Sequence, residues 1–114
     1  MAESRTVVTF PEMNTGEMKN NAGKAAQLLK SLANESRLMI LCTLASGERS
    51  VGELNAEVDL SQSSLSQHLG VLRKEGLVQT RRVSQTIYYS LADSPALQVI
   101  GTLHNIFCGT QSEN

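Results

Sequence analysis

The stretch SQSSLSQHLGVLRKEGLV, residues 61–78, has the pattern of one amphipathic helix followed by a stop. Ser61 is a good N-cap, because its hydroxyl can accept a hydrogen bond from an unpaired backbone N–H of the first turn. Gly76 supplies the left-handed residue that commonly ends a helix. Between them, three leucines at helical spacing form a single apolar stripe: Leu65, Leu69 and Leu72. The stretch therefore predicts a helix that buries one side and presents a polar side outward.

The polar side of this helix carries serine and glutamine, whereas an ordinary solvent-exposed helix more often carries alternating Glu and Lys. Neither residue type repels phosphate, and glutamine can bond a base edge bidentately, so Gln67 is the best candidate for base recognition. His68 lies nearer the apolar stripe, and a packed, hydrogen-bonded histidine is the favoured alternative for it. We interpret the stretch as a DNA recognition helix. Its candidate contact residues are Gln62, Ser63, Ser64, Gln67, His68, Arg73 and Lys74.

Composition limits how such a helix could bind DNA. The chain has 114 residues, 40% of them hydrophobic, which predicts one domain with a modest core. A net charge of −1 excludes a general polyanion binder, so positive charge must be concentrated locally. Four basic residues lie within ten positions at the end of the recognition helix and just after it: Arg73, Lys74, Arg81 and Arg82. No acidic residue lies between Glu75 and Asp93.

Helical patterns precede the recognition helix. Residues 1–13 lack periodicity and predict a flexible N-terminal arm, whereas residues 14–108 predict the folded domain and 109–114 a C-terminal tail. A first helix is expected from Thr15, and a second, apolar nearly all round, from the Asn34 cap to Gly47. Ser50, with Glu53 three residues later, predicts a capping box that starts a third helix.

Strand patterns follow the recognition helix. Residues 77–81 and 86–91 are rich in β-branched and aromatic side chains, which predicts a two-stranded hairpin with the polar link 82–85. A helix after Pro95 is apolar on more than one face, which favours pairing with a second copy. The hairpin residues can contact phosphate or the minor groove, or can simply form a solvated, charge-guarded edge: Arg81, Arg82, Ser84 and Gln85.

Four segments together resemble the ArsR/SmtB family of dimeric repressors: LKSLANESRLMILCTL (29–44), VGEL (51–54), LSQSSLSQHLGVLRKEGLV (60–78) and IYYSL (87–91). The resemblance implies a mainly α fold with a small β-hairpin, the winged helix-turn-helix. It also implies a homodimer built on the first and last helices, bound to double-stranded DNA at a palindromic operator. Effector binding or thiol chemistry would weaken that binding.

The metal sites usual in this family do not match the sequence. The third helix of metal sensors carries Cys-x-Cys, whereas the aligned residues 53–57 contain neither cysteine nor histidine. Cys42 and Cys108 instead match the thiol-based, persulfide- and redox-sensing branch of the family, the BigR, SqrR and HlyU regulators. The resemblance implies that reactive sulfur species or oxidants link the two sulfurs, directly or through inserted sulfur atoms.

Other interpretations of the cysteines remain open. A cysteine in an apolar helix is usually a small hydrophobic residue, as Cys42 could be. His104, one turn before Cys108, could aid its deprotonation or form half of a metal site. The alternatives are a metal-responsive repressor, a DNA-binding activator or anti-silencer that senses nothing, and a small thiol enzyme. Because the sequence contains no Cys-x-x-Cys and no nucleophile with an obvious base, we expect no enzymatic activity. Two candidate ligands are too few for a structural zinc, so we expect no metal, and we also expect no cofactor.

Location is predicted from what the sequence lacks. There is no signal-peptide pattern, and the longest apolar run, residues 38–42, is too short to span a bilayer. We therefore expect a cytoplasmic protein without membrane contact, in a compartment where thiols are normally reduced.

Overall fold

The computed structural model describes residues 15–107. The predicted arm (1–13), the predicted tail (109–114) and Cys108 lie outside the described residues, as does residue 14. Within the described part, the elements are α1 (Thr15–Leu32), α2 (Glu35–Ala45), β1 (Arg49–Ser50), α3 (Val51–Glu57), α4 (Gln62–Lys74), β2 (Val78–Val83), β3 (Thr86–Leu91) and α5 (Ala96–Phe107).

Side-chain caps begin three of the helices where the sequence predicts them. The Asn34 side chain accepts a hydrogen bond from the backbone N–H of Arg37 at 3.0 Å and starts α2. At α3 the capping box is complete, because Ser50 Oγ accepts from the Glu53 N–H at 3.1 Å and the Glu53 carboxylate accepts from the Ser50 N–H at 2.8 Å. Ser61 caps α4 in the same way, accepting from the Ser64 N–H at 3.1 Å. These bonds satisfy donors that helix geometry leaves unpaired.

One hydrophobic core joins the helices to the root of the hairpin. Its most fully buried side chains come from α2, α3, α4 and α5, and half-buried Tyr89 and Leu91 of β3 pack against it. The buried members are Leu32, Ile40, Leu41, Leu44, Leu54, Val58, Leu65, Leu69, Leu72, Leu77, Val78, Ala96 and Ile100. The core therefore fixes α4 by its leucine stripe, as the sequence predicts.

The sheet has one strand more than the sequence predicts. Its order is β1-β3-β2 and both pairings are antiparallel, with Arg49 opposite Tyr89 and Ser50 opposite Tyr88. Strand β1 has only two residues, too few for a periodic signal, and its partner lies about 40 positions away in the sequence. The predicted hairpin thus gains a short strand on its β3 side.

The hairpin is also tighter than predicted. Strand β2 runs to Val83, which pairs with Thr86, so the link is two residues and not the four of 82–85. Ser84, the first residue of that link, has φ 59°, the left-handed region that a non-glycine residue adopts at some cost. Two-residue hairpin turns need such a residue, because only a positive φ matches the twist of the strands. The prediction of a longer link was wrong because the sequence offers no glycine there.

Helices α3 and α4 with the β2–β3 hairpin form the predicted winged helix-turn-helix. We call the hairpin, residues 78–91, the wing. Among residues 15–107, none of the helices has the length and apolar character needed to cross a membrane.

Candidate nucleic-acid interface

Helix α4 exposes the polar face that the sequence predicts. Its leucines are at most 2% exposed, so the helix is fixed by its inner side. The opposite side is exposed at Gln62, Ser63, Gln67, Arg73 and Lys74, whereas Ser64 is half-buried. The arrangement presents hydroxyl and amide groups outward, with positive charge at the C-terminal end, which is the chemistry needed at base edges and phosphates.

His68 lies at the border of that face. Its side chain is half-buried, between the exposed Gln67 and the buried Leu69. Packing against the core and contact with the groove both remain predictions for this histidine.

The turn before α4 is fixed by a side chain of α3. Asn55 Nδ2 donates to the Leu60 carbonyl at 3.0 Å, and the Val58 N–H donates to the Leu54 carbonyl at 2.8 Å. Since Leu60 immediately precedes the Ser61 cap, these bonds tie the start of α4 to α3. No sequence pattern singles out Asn55, because its position between apolar helix residues gives only a weak signal.

The two wing arginines point to opposite faces of the sheet. Strand alternation places Arg82 on the same side as the buried Val78, and Arg81 on the outer side with its partner Tyr88. Arg82, Ser84 and Gln85 are exposed around the tip. These three polar groups therefore reach solvent where a wing could contact a DNA backbone.

Arg81 is held by Glu48, which no sequence pattern singles out as its partner. Its Nε and Nη2 donate to the two carboxylate oxygens of Glu48 at 2.8 and 2.7 Å, and its guanidinium lies 5.0 Å from the centre of the Tyr88 ring. The hydrogen bonds from Arg81 lower the pKa of the Glu48 carboxyl, and the carboxylate raises the pKa of Arg81. The partners are 33 residues apart, so no local pattern could have revealed the pair.

Cys42 lies in a cleft between α2 and α5. The cleft has a volume of about 150 Å³ and an almost wholly apolar lining of Leu38, Cys42, Leu103, His104 and Phe107. Cys42 and His104 also line a wider groove that reaches Arg49 and Glu57. Within residues 15–107, no group of three or more histidine, cysteine or acidic side chains is arranged to hold a metal ion. Cys108 lies outside the described residues and follows Phe107 in the sequence.

Large apolar side chains are exposed on the first and last helices. Leu29 of α1 is 58% exposed and Ile106 of α5 is 59% exposed. Other exposed side chains on these two helices are Met18, Leu97 and Phe107. Apolar surface of this kind typically marks a protein–protein contact.

Comparisons with known proteins agree with this arrangement. Residues 34–80 match the family described as "Bacterial regulatory protein, arsR family". The transcriptional activator HlyU of Vibrio cholerae is 51% identical over 96 residues, which are 84% of this chain and 89% of that protein. The chain belongs to the ArsR family.

Solved structures of family members have the same fold. Reduced HlyU from Vibrio cholerae superposes with a TM-score of 0.76 at 51% identity, covering 81% of this chain and 97% of that one. The transcriptional repressor BigR from Xylella fastidiosa gives a TM-score of 0.80 at 44% identity, covering 85% of this chain and 96% of that one. The homodimeric winged helix-turn-helix domain of Mb0332 from Mycobacterium bovis gives a TM-score of 0.66 at 27% identity, covering 84% of this chain and 89% of that one.

Membership establishes the general function. The ArsR-family chain is a DNA-binding transcriptional regulator similar to HlyU and BigR, and its relatives are regulators rather than enzymes. The structure brings most predicted contact residues onto one exposed helix face and the wing tip. Arg81 lies apart from these residues, on the outer face of the wing, where it is paired with Glu48.

Proposed function

We propose that this ArsR-family protein is a homodimeric repressor that binds a palindromic operator and is released when Cys42 and Cys108 are linked. The effector is a reactive sulfur species or an oxidant. One observation carries the proposal: Cys42 lines the same cleft as Phe107, the residue immediately before Cys108. Consecutive Cα atoms are about 3.8 Å apart, so the proposal needs only that the residue after Phe107 turns its side chain toward Cys42.

A direct disulfide needs two thiols and one two-electron acceptor, and an inserted bridge needs in addition a persulfide that donates the inserted sulfur. With a peroxide, one thiolate attacks oxygen to give a sulfenic acid and water or alcohol. The second thiol then displaces water and closes the disulfide, so the two cysteines lose two hydrogens in total.

A bond between these cysteines would tie α2 to the end of α5. Helix α2 packs against α4, while α5 carries exposed apolar residues suited to the dimer contact. A link between the two helices would therefore alter how each recognition helix sits relative to the dimer axis. Half-sites on DNA are spaced by the helical repeat, so a change in that spacing lowers affinity. A differential affinity of a few kcal/mol is enough to release most of the protein.

The proposed DNA contacts follow from exposure and chemistry. Gln67 would recognise a base, and its neighbours on α4 would contact base edges or phosphates. Two recognition helices from one dimer would enter successive major grooves. The proposed contact set is Gln62, Ser63, Ser64, Gln67, Arg73 and Lys74 on α4, and Arg82, Ser84 and Gln85 on the wing, with His68 in a supporting position.

Substitution of either cysteine tests the switch. Full-length protein reduced with dithiothreitol is first used to select a duplex from a random pool. Cys42→Ser and Cys108→Ser should bind this duplex with wild-type affinity and lose release by hydrogen peroxide or a persulfide donor. Intact mass distinguishes the chemistry. Loss of two hydrogens indicates a disulfide, and gain of sulfur together with loss of two hydrogens indicates an inserted bridge.

Thr43→Ala provides the matched control for these variants. Thr43 is the neighbour of Cys42 on α2 and carries no thiol, so this variant should be released like the wild type. Retained release in either cysteine variant would refute the dithiol switch. If release of the wild type required zinc instead, the metal-responsive alternative would replace it.

The sign of regulation is a separate part of the proposal. HlyU is described as an activator and BigR as a repressor, so family membership permits both. We propose repression by operator occupancy. Transcripts beside the selected operator should then rise when the protein is deleted, whereas a fall would identify an activator.

A further inference from the structure

The outer half of the wing has little burial to hold it. From Arg81 through Thr86 every residue is exposed, and β1 supports β3 only at Tyr88 and Tyr89 among the described pairings. An isolated two-stranded hairpin is marginally stable in water. The orientation of the tip must therefore depend on contacts other than the core.

The Glu48–Arg81 pair is placed to supply such a contact. Arg81 extends from the edge strand β2, crosses the central strand over the Tyr88 ring, and reaches Glu48 just before β1. The pair is bidentate, a geometry that fixes direction as well as distance. It therefore joins the free edge of the wing to the segment between α2 and the sheet.

The segment that carries Glu48 is itself braced on the helical body. The Gly47 N–H donates to the Leu44 carbonyl at 3.0 Å, which ties the segment to the end of α2. Arg49 Nη1 donates to the Gly47 carbonyl at 2.9 Å, and Arg49 Nε donates to Glu57 of α3 at 2.9 Å. A carboxylate fixed between α2 and α3 thus holds the wing arginine.

We propose that Glu48 is a positioning residue for DNA binding, which sets the orientation of the wing by holding Arg81. The arginine that contacts phosphate is then Arg82, on the opposite face of the same strand. The charge of Arg81 is instead paired with Glu48 on the protein surface. The proposal rests on DNA binding by the family and deepens the role proposed for the wing.

Three variants of the full-length protein test this assignment: Glu48→Gln, Arg81→Gln and the double variant. Glu35→Gln is the matched control, since it removes one exposed carboxylate from α2 without touching the wing. Affinity is measured on the duplex selected by the wild type, over a range of salt concentrations. The ¹⁵N–{¹H} NOE of the Ser84 and Gln85 amides reports motion of the wing tip without DNA.

The two single variants should behave alike. Each should weaken binding about threefold, in line with the modest strength of exposed ion pairs, and the double variant should lose no more than either. The salt dependence should stay at the wild-type slope, because Arg81 makes no phosphate contact. The tip NOE should fall in all three variants, and the global unfolding midpoint should remain near that of Glu35→Gln.

Other outcomes would overturn the proposal in distinguishable ways. Tighter binding by Glu48→Gln with a steeper salt slope would show that Glu48 competes with DNA for Arg81. A larger loss and a shallower slope for Arg81→Gln alone would make Arg81 a direct phosphate contact. An unchanged tip NOE would show that the pair does not order the wing. Because the NOE needs no DNA, its result is independent of any failure to select an operator.

Discussion

Gln67 is the residue on which base recognition should depend most. It is exposed on α4 between the buried Leu65 and Leu69, so the backbone that carries it is fixed. Gln67→Ala should weaken binding to the selected duplex by about 1–3 kcal/mol per half-site, the usual range for a bidentate base contact. Binding to an unrelated duplex should be unchanged, because phosphate contacts supply that affinity.

Gln79→Ala is the matched control for that prediction. Gln79 is exposed on β2, where its amide donates to Ser90 Oγ at 3.4 Å, away from the recognition face. Fluorescence anisotropy on the two duplexes measures both variants. If Gln67→Ala lost the same affinity for the selected and the unrelated duplex, Gln67 would not be a base-recognition residue.

For single residues, sequence patterns could identify candidates for DNA contact but not the partners of those residues. The stripe of leucines on α4 predicted correctly which side of the helix is buried, because 3.6-residue periodicity is a local property. The positive charge of Arg81 was equally visible, yet its pairing with Glu48 depends on strand register across the sheet. The sequence alone therefore grouped Arg81 with Arg82, whereas the fold places them on opposite faces.

Ser50 links two elements, because its backbone pairs in β1 while its side chain caps α3. Helix α3 has only seven residues, so its stability depends strongly on its first turn. Ser50→Ala removes the acceptor for the Glu53 N–H and should lower the free energy of unfolding by about 1 kcal/mol. Urea denaturation of the full-length protein measures the change.

Ser66→Ala is the control for the cap. Ser66 is exposed in the middle of α4 and serves no cap, so its substitution should change stability by less than about 0.5 kcal/mol. If Ser50→Ala were equally neutral, the capping box would contribute nothing measurable to α3.

Helices with a capping residue or clear periodicity were predicted from the sequence, whereas the strand that forms by pairing with a distant segment was not. Caps and periodicity gave the starts of α2, α3 and α4, and Gly76, with φ 77°, ends the recognition segment as expected. Strand β1 was missed because two residues have no pattern of their own. The turn at Ser84 was predicted too long. The pairing of β2 with β3 offsets the cost of the left-handed conformation of Ser84, and that pairing cannot be seen in the sequence.

The whole molecule is proposed to function as a dimer, and the exposed apolar residues of α1 and α5 allow this to be tested. Leu29→Glu combined with Ile106→Glu should raise the dimer dissociation constant by at least about a hundredfold, because burying unpaired carboxylates is costly. Val83→Glu is the matched control, since Val83 is an exposed apolar residue at 47% but lies on the wing. Sedimentation velocity should show monomers for the first variant and dimers for the second. Dimers in both would place the interface elsewhere.

Salt dependence is the property of the whole molecule that its charge distribution predicts best. A chain of net charge −1 binds DNA only through local cations, and the exposed ones at the interface are Arg73, Lys74 and Arg82. A dimer would then make about six phosphate contacts, which gives a slope of log K against log salt of about −5 and a loss of about 10³ in affinity between 50 and 200 mM. Arg82→Gln should reduce the slope by about two, because each subunit loses one contact, whereas Lys19→Gln on α1 should leave it unchanged. A slope unaffected by Arg82→Gln would mean that the wing tip does not touch the backbone.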